Sequence, residues 1–387
     1  MSLLLIQATS LHLPLADHAV HCIVTSPPYF HLRDYGTPEQ LGLESLHDCL
    51  GWATGASCGA CYLCRLRTVF AACWRVLRDD GTLFIVIGDS YNAAGRTGRG
   101  TLQGYTQGTN RTSRTGADPG RATAPGLKPK DLCGIPQRLA LALQADGWTW
   151  RSELIWDKPN PMVEAVRDRP TKAHEQILLF SKRPRYFWDA FALDEPTTTR
   201  PKSSWEEPRA AGETMKRGMN QLGVGGPEAA TTRNVRTVWR IPTAPTSVAH
   251  FATMPTALAT RCLKAGTSSQ GVCQHCGTPW IRQVTAVRRL DGATVRTDQG
   301  FRPGCACADP APVPAIVCDP FVGSGTVPLV ARALGRHGVG VDLSWPYLQI
   351  ARERCGLTAL SAWLGTPGTP CESPPLTDLP LFGSVQT

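Results

Sequence analysis

Short, continuously apolar runs recur along the chain and alternate with stretches in which apolar positions return every three or four residues. Leu3 to Ile6, Val20 to Val24, Leu83 to Ile87, Ile177 to Phe180, Ile316 to Cys318 and Val339 to Val341 read as buried strands. Between them, Val69, Cys73 and Val76 share one helical face before a stop at Asp80-Gly81. Ile135, Leu139 and Leu143 share another before Gly147. The alternation predicts an α/β fold around a mostly parallel sheet.

Two long polar segments, about 92–130 and 196–236, break this rhythm and are rich in Gly, Thr, Pro and Arg. The first carries Arg96, Arg99, Arg111, Arg114, Arg121, Lys128 and Lys130 against one acid, Asp118. It reads either as a solvated insertion or as a loop that meets nucleic-acid phosphates. Beyond Gly356 the sequence turns to Pro, Thr and Ser, the composition of a loose tail over 357–387.

Composition narrows the class. A chain of 387 residues, 42% hydrophobic and 18% charged, can bury a full core as one large domain with insertions or as two domains. No stretch approaches the roughly 18 uninterrupted apolar residues of a membrane span, and Met1 to Ile6 lack the features of a signal peptide, so a cytoplasmic protein is expected. The 15 cysteines then point to metal binding before disulfides. A formal charge of +9 modestly favours a polyanionic partner.

Two motifs carry the chemistry. Ile316-Val317-Cys318 runs into Asp319-Pro320-Phe321-Val322-Gly323-Ser324-Gly325-Thr326, a strand, a glycine turn and the start of a helix. Glycines let the backbone approach a ligand, and the helix start offers unpaired N–H groups to an anionic part of it. Asp342, at the end of the next strand, can take two ribose hydroxyls. Neither G-x-G-x-x-G nor a Walker lysine is present, which argues against nicotinamide dinucleotides and P-loop nucleotides. The second motif is Ser26-Pro27-Pro28-Tyr29, directly after the apolar run Val20 to Val24. Successive prolines cannot extend a ladder and build a rigid corner instead. That corner holds a carbonyl and the Ser26 hydroxyl as acceptors beside the Tyr29 ring, an arrangement suited to a planar amine.

Together these residues resemble the amino-group DNA methyltransferases, with the corner preceding the glycine turn as in the permuted beta class. Arg75-Val76-Leu77 to Asp80-Gly81-Thr82-Leu83, Gly88-Asp89-Ser90-Tyr91, Trp156-Asp157-Lys158-Pro159-Asn160-Pro161, Arg169 to Glu175 and His250-Phe251-Ala252-Thr253-Met254-Pro255 resemble further segments of that family. The resemblance implies a Rossmann-like, mostly parallel seven-stranded sheet in circularly permuted motif order, double-stranded DNA as substrate and a cognate restriction endonuclease as a further partner. It assigns Ser26, Pro27, Pro28 and Tyr29 to the target base. It assigns Asp319, Pro320, Phe321, Gly323, Ser324, Gly325, Thr326, Asp342 and Phe251 to S-adenosylmethionine. Thr9 stands where relatives carry Asp or Asn against the adenine. The implied division is a catalytic half over 1–190, a target-recognition segment over 191–245 and a cofactor half over 246–356.

Cys273-x-x-Cys276 followed by Cys305-x-Cys307 matches a zinc ribbon, and tetrahedral four-thiolate sites are usually structural. Cys49, Cys58, Cys61 and Cys64 can close a second site. Neither group reads as catalytic.

The expected reaction flips a base out of the duplex, stacks it on Tyr29 and methylates its exocyclic amine, with cytosine N4 preferred to adenine N6. The alternatives are RNA or protein glutamine as substrate, the latter disfavoured by motif order, and a zinc-ribbon nucleic-acid binder without activity.

Overall fold

A computed structural model describes residues 2–30, 32, 39–44, 56–92, 127–161, 164, 166–196, 232–243, 254–288 and 294–357. The first half runs β1 (Leu3–Gln7), β2 (Val20–Thr25), α1 (Tyr62–Val76), β3 (Leu77–Ile87), α2 (Ile135–Ala145), β4 (Thr149–Asp157) and β5 (His174–Ser181). Three short strands follow, β6 (Glu195–Pro196), β7 (Thr232–Arg233) and β8 (Val238–Arg240), then α3 (Thr256–Gly266). The remainder is β9 (Val272–Cys273), β10 (Ile281–Arg288), β11 (Thr294–Arg302), β12 (Pro312–Val313), β13 (Ile316–Asp319), α4 (Thr326–Ala333), β14 (His337–Asp342) and α5 (Trp345–Arg354).

The main sheet has the order β1-β14-β13-β2-β3-β5-β4-β8. Its strands are parallel to their neighbours except β5, which runs against both β3 and β4. The expectation of seven strands is therefore corrected to eight among the described residues. The addition is β8, a three-residue edge strand whose Trp239 is wholly buried and donates its indole N–H to the Arg236 carbonyl at 2.9 Å. Three residues are too few to show periodicity, so packing of that tryptophan defines the strand.

All six residues of β2 and all four of β13 are buried, because helices cover both faces of the sheet. The two-residue period of a strand divides them. Ile23 joins Phe70, Leu83 and Leu139 under α1 and α2, while Cys22 and Val24 join Leu258, Val317 and Val327 under α3 and α4. No helix among the described residues is long and apolar enough to cross a membrane.

This layering gives the sheet two ends with different tasks. Ser26, Asp319 and Asp342 stand at or just past the carboxyl ends of β2, β13 and β14, where open α/β sheets bind ligands. The cysteine-rich insertion, with its β9–β12 pair and β10–β11 hairpin, docks at the opposite end. There His21, near the start of β2, accepts from the Ile316 N–H at Nδ1, 3.1 Å, leaving Nε2 to donate to the Gly277 carbonyl at 3.1 Å. Burial, aided by the nearby Arg78 charge, lowers the His21 pKa to about 4, so this tie is made by a neutral ring.

Candidate active site

The glycine turn connects β13 to α4, with Gly323 at φ 48° and Gly325 at φ 82°. Asp319, almost wholly buried, braces the turn from inside by accepting from the Thr25 hydroxyl at 2.8 Å and the Phe321 N–H at 3.0 Å. Burial lifts its carboxyl pKa to about 7, with the Asp342 charge adding to the rise and the two hydrogen bonds opposing it. Asp342 accepts from the N–H groups of Gly323 and Ser344, each at 2.9 Å, and burial raises its pKa as well. Two hydrogen bonds leave lone pairs on both oxygens. The Ser10 hydroxyl donates to the Pro320 carbonyl at 2.6 Å. Ser324 and Thr326 present hydroxyls that Arg354 of α5 reaches at 2.7 Å each, so part of their expected capacity for a ligand is spent inside the protein.

The Ser26 to Tyr29 corner sits at the end of the neighbouring strand, though Thr25 and Asp319 are 294 positions apart. Tyr62, in the first turn of α1, donates its hydroxyl to the Pro28 carbonyl at 2.7 Å and fixes the corner from behind. Ser26 donates to the Tyr29 oxygen at 3.5 Å, and the Tyr29 hydroxyl donates to Glu175 Oε2 at 2.6 Å. The other oxygen of Glu175 pairs with Lys158, whose ammonium also stands 4.3 Å from the centre of the Trp156 ring. Burial first, and the Glu175 charge second, hold the Tyr29 hydroxyl well above its ordinary pKa, so it stays a phenol.

Both motifs face one cavity of about 290 Å³. It is lined by Ser26, Pro27, Pro28 and Tyr29 on one side and by Asp319, Phe321, Gly323, Ser324, Thr326 and Asp342 on the other. Pro320 and Gly325 shape the turn from behind and are not part of the lining. Thr9 lines the cavity too, its hydroxyl oxygen accepting the Leu11 N–H at 3.3 Å. Phe251 lies outside the described residues, and Met254 just after it reaches the wall. Lys158, Glu175, Ser344 and Tyr347 also line the cavity, and sequence reasoning gave them no role. Lys158 and Glu175 lie in segments that resemble the family, yet nothing local tells that these two residues, 17 positions apart, form an ion pair whose carboxylate also meets Tyr29.

Asp89, also in a segment that resembles the family, is a helix cap: its carboxylate accepts from the Gly134 and Ile135 N–H groups at 3.0 Å and starts α2. Of the basic segment, Arg96, Arg99, Arg111, Arg114 and Arg121 lie outside the described residues. Its two ends are held together, since the Asn92 carboxamide donates to the Leu127 and Lys128 carbonyls at 3.0 Å.

The sulfurs of Cys273, Cys276, Cys305 and Cys307 lie within 4.8 Å of one another, as do those of Cys58, Cys61 and Cys64. Thiolates about 2.3 Å from a tetrahedral ion stand roughly 3.8 Å apart, so both clusters are the right size for one. In the second, the Cys61 N–H points at the Cys58 sulfur at 3.3 Å and the Cys58 N–H at the Cys64 sulfur at 3.4 Å. Cys49 lies outside the described residues.

A family model for DNA methylases of the N6/N4 type matches residues 20–274 and 311–353. The chain belongs to this family. The unmatched stretch between the two blocks holds Cys276, Cys305, Cys307 and the β10–β11 hairpin, so the methylase carries them as an insertion. Its relatives include the Type II methyltransferases M.Cfr9I of Citrobacter freundii and M.SmaI of Serratia marcescens. The first is 36% identical over 340 residues, 88% of this chain and 82% of the relative. The second is 35% identical over 340 residues, 86% and 83% of the two chains. Among solved structures, the PvuII cytosine-N4-specific DNA methyltransferase superimposes with a TM-score of 0.50 at 12% identity, covering 92% of this chain and 86% of that one. The methylase is thus an enzyme that modifies amino groups of DNA bases on a methyltransferase fold.

Proposed function

We propose that the methylase transfers a methyl group from S-adenosylmethionine to the N4 amine of a cytosine flipped out of double-stranded DNA. The observation that carries this reading is the shared cavity, in which the Ser26 to Tyr29 corner faces Asp342 and the glycine turn. The cofactor supplies an electrophilic methyl on a sulfonium when bound. Asp342 has lone pairs left for ribose hydroxyls, and a cationic ligand beside Asp319 and Asp342 would favour their ionised forms against the burial that raises both pKa values. On the base side, Tyr29 offers a stacking face and Ser26 an acceptor. The Pro28 carbonyl is engaged by Tyr62, which favours the Pro27 carbonyl as the second acceptor for the amine. Catalysis then rests on proximity and fixed dipoles.

The neutral, short Ser26 in place of a carboxylate supports cytosine over adenine, because the pyrimidine's N3 needs room beside the amine. Treated DNA is digested and its nucleosides weighed by mass spectrometry. N4-methylcytosine is expected, and N6-methyladenine as the sole modified nucleoside would overturn the assignment. Ser26→Ala and Tyr29→Ala should each slow turnover while cofactor affinity holds, because both act on the base.

The same reading makes the motif order a circular permutation, with the catalytic half over 1–190, target recognition over 191–245 and the cofactor half over 246–356. Both cysteine clusters are read as structural zinc sites, Cys49 completing the second. The enzyme is placed in the cytoplasm, paired with a restriction endonuclease of the same DNA site.

A further inference from the structure

The Ser26 hydroxyl can be donor or acceptor, and a target amine needs an acceptor. Which it is depends on what its own hydrogen does. The Tyr29 hydroxyl donates to Glu175 at 2.6 Å, so its oxygen is left to accept, and Ser26 is the group placed to donate to it at 3.5 Å. With its hydrogen turned toward Tyr29, Ser26 presents lone pairs to the cavity. Lys158 anchors the far end of the chain by pairing with the second oxygen of Glu175.

One glycine opens the route. Gly88 follows β3, which lies between β2 and β5 in the sheet. A side-chain carbon there would stand 2.8 Å from the Tyr29 ring and 3.6 Å from Glu175. Its absence lets the tyrosine cross the end of β3 and reach a carboxylate 146 positions away.

We infer that Glu175, held by Lys158 and acting through Tyr29, is the positioning residue that makes the neutral Ser26 a hydrogen-bond acceptor for the target amine. The negative charge that a carboxylate at position 26 would supply directly is set back two groups, behind the tyrosine. As the amine nitrogen bonds to the methyl carbon and the carbon–sulfur pair leaves to sulfur, the surplus proton of the amine passes to Ser26. The Ser26 proton moves to Tyr29 and the Tyr29 proton to Glu175, which becomes neutral. This inference rests on the proposed placement of the base amine at Ser26.

The test compares Glu175→Gln, Tyr29→Phe and Ser26→Asp, alone and combined, in single-turnover methylation and in calorimetric titration with S-adenosylmethionine. Glu175→Gln and Tyr29→Phe should each lower the methylation rate about tenfold to a hundredfold, the worth of a hydrogen bond to a charged group, at unchanged cofactor affinity. The double variant should be no slower than Tyr29→Phe alone, since the residues act as one unit. Ultraviolet titration should find Tyr29, identified by subtraction of Tyr29→Phe, ionising at lower pH once Glu175 is Gln, because the raising charge is gone. Ser26→Asp should restore part of the rate in the Glu175→Gln background. A Glu175→Gln rate within about twofold of the parent, with Tyr29 titrating as before, overturns the inference. If Ser26→Ala also methylates normally, the base site itself is misplaced; if only Glu175→Gln is normal, the base site stands.

Discussion

Asp319 shows how one buried carboxyl ties stability to ligand binding. Its pKa rises from 3.8 to about 7, so between those values the folded chain holds a proton that the unfolded chain has released. Stability from this group is full at the acid side of the window and falls as pH rises through it. Asp319→Asn removes the ionisation. Thermal melts of parent and variant should therefore diverge between pH 4 and 7, the parent losing ground by something on the order of a few kcal/mol. Parallel pH profiles would refute it. A sulfonium in the cavity favours the ionised form, so cofactor binding near neutral pH should release protons, readable by calorimetry in buffers of different ionisation heat. For Asp342, the Ala variant should bind S-adenosylmethionine at least about tenfold more weakly, the loss of charge-assisted hydrogen bonds. Unchanged affinity would sink the ribose assignment. Because Asp342 also holds the Gly323 and Ser344 N–H groups, circular dichroism should accompany the titration.

At the scale of elements, the glycine turn is built as much by α5 as by its own residues. Gly325 has φ 82°, and a side-chain carbon there would lie 3.0 Å from Ala351 and 3.2 Å from the Cys355 sulfur. Gly325→Ala should cost about 1–3 kcal/mol from left-handed strain and crowding, seen as a lower denaturation midpoint together with weaker cofactor binding. The cysteine-rich insertion invites the opposite expectation. It sits at the far end of the sheet, tied down by Arg282 to Asp189 at 2.9 Å and by His21 to Gly277. With zinc on these thiolates as proposed, Cys305→Ser should release it, detected by atomic absorption, and lower the melting temperature, while S-adenosylmethionine affinity stays near that of the parent. Loss of cofactor binding along with the metal would show that the insertion reaches the active site.

For the whole molecule, strand order joins the halves. β13 carries the glycine turn between β14 and β2, so Asp342 and the Ser26 to Tyr29 corner flank it from either side. Much of this was legible in the sequence. Strands buried on both faces, such as β2 and β13, are continuous apolar runs because no residue in them meets water. The corner and the turn were legible because prolines and glycines restrict the backbone wherever they occur. β4 shows no apolar run in the sequence, since Thr149 to Asp157 mixes exposed and buried positions, and the β10–β11 hairpin shows none because its residues cover no core. The sequence by itself determined the α/β class, the two motifs and the thiolate pairs, all set by local backbone chemistry and spacing. Only the tertiary structure decided that Tyr29 meets Glu175, that Arg354 claims Ser324 and Thr326, and that the cysteine insertion lies away from the cavity. Those contacts join positions far apart in the chain, and only sheet order and helix packing decide which distant side chains are brought within a hydrogen bond of each other.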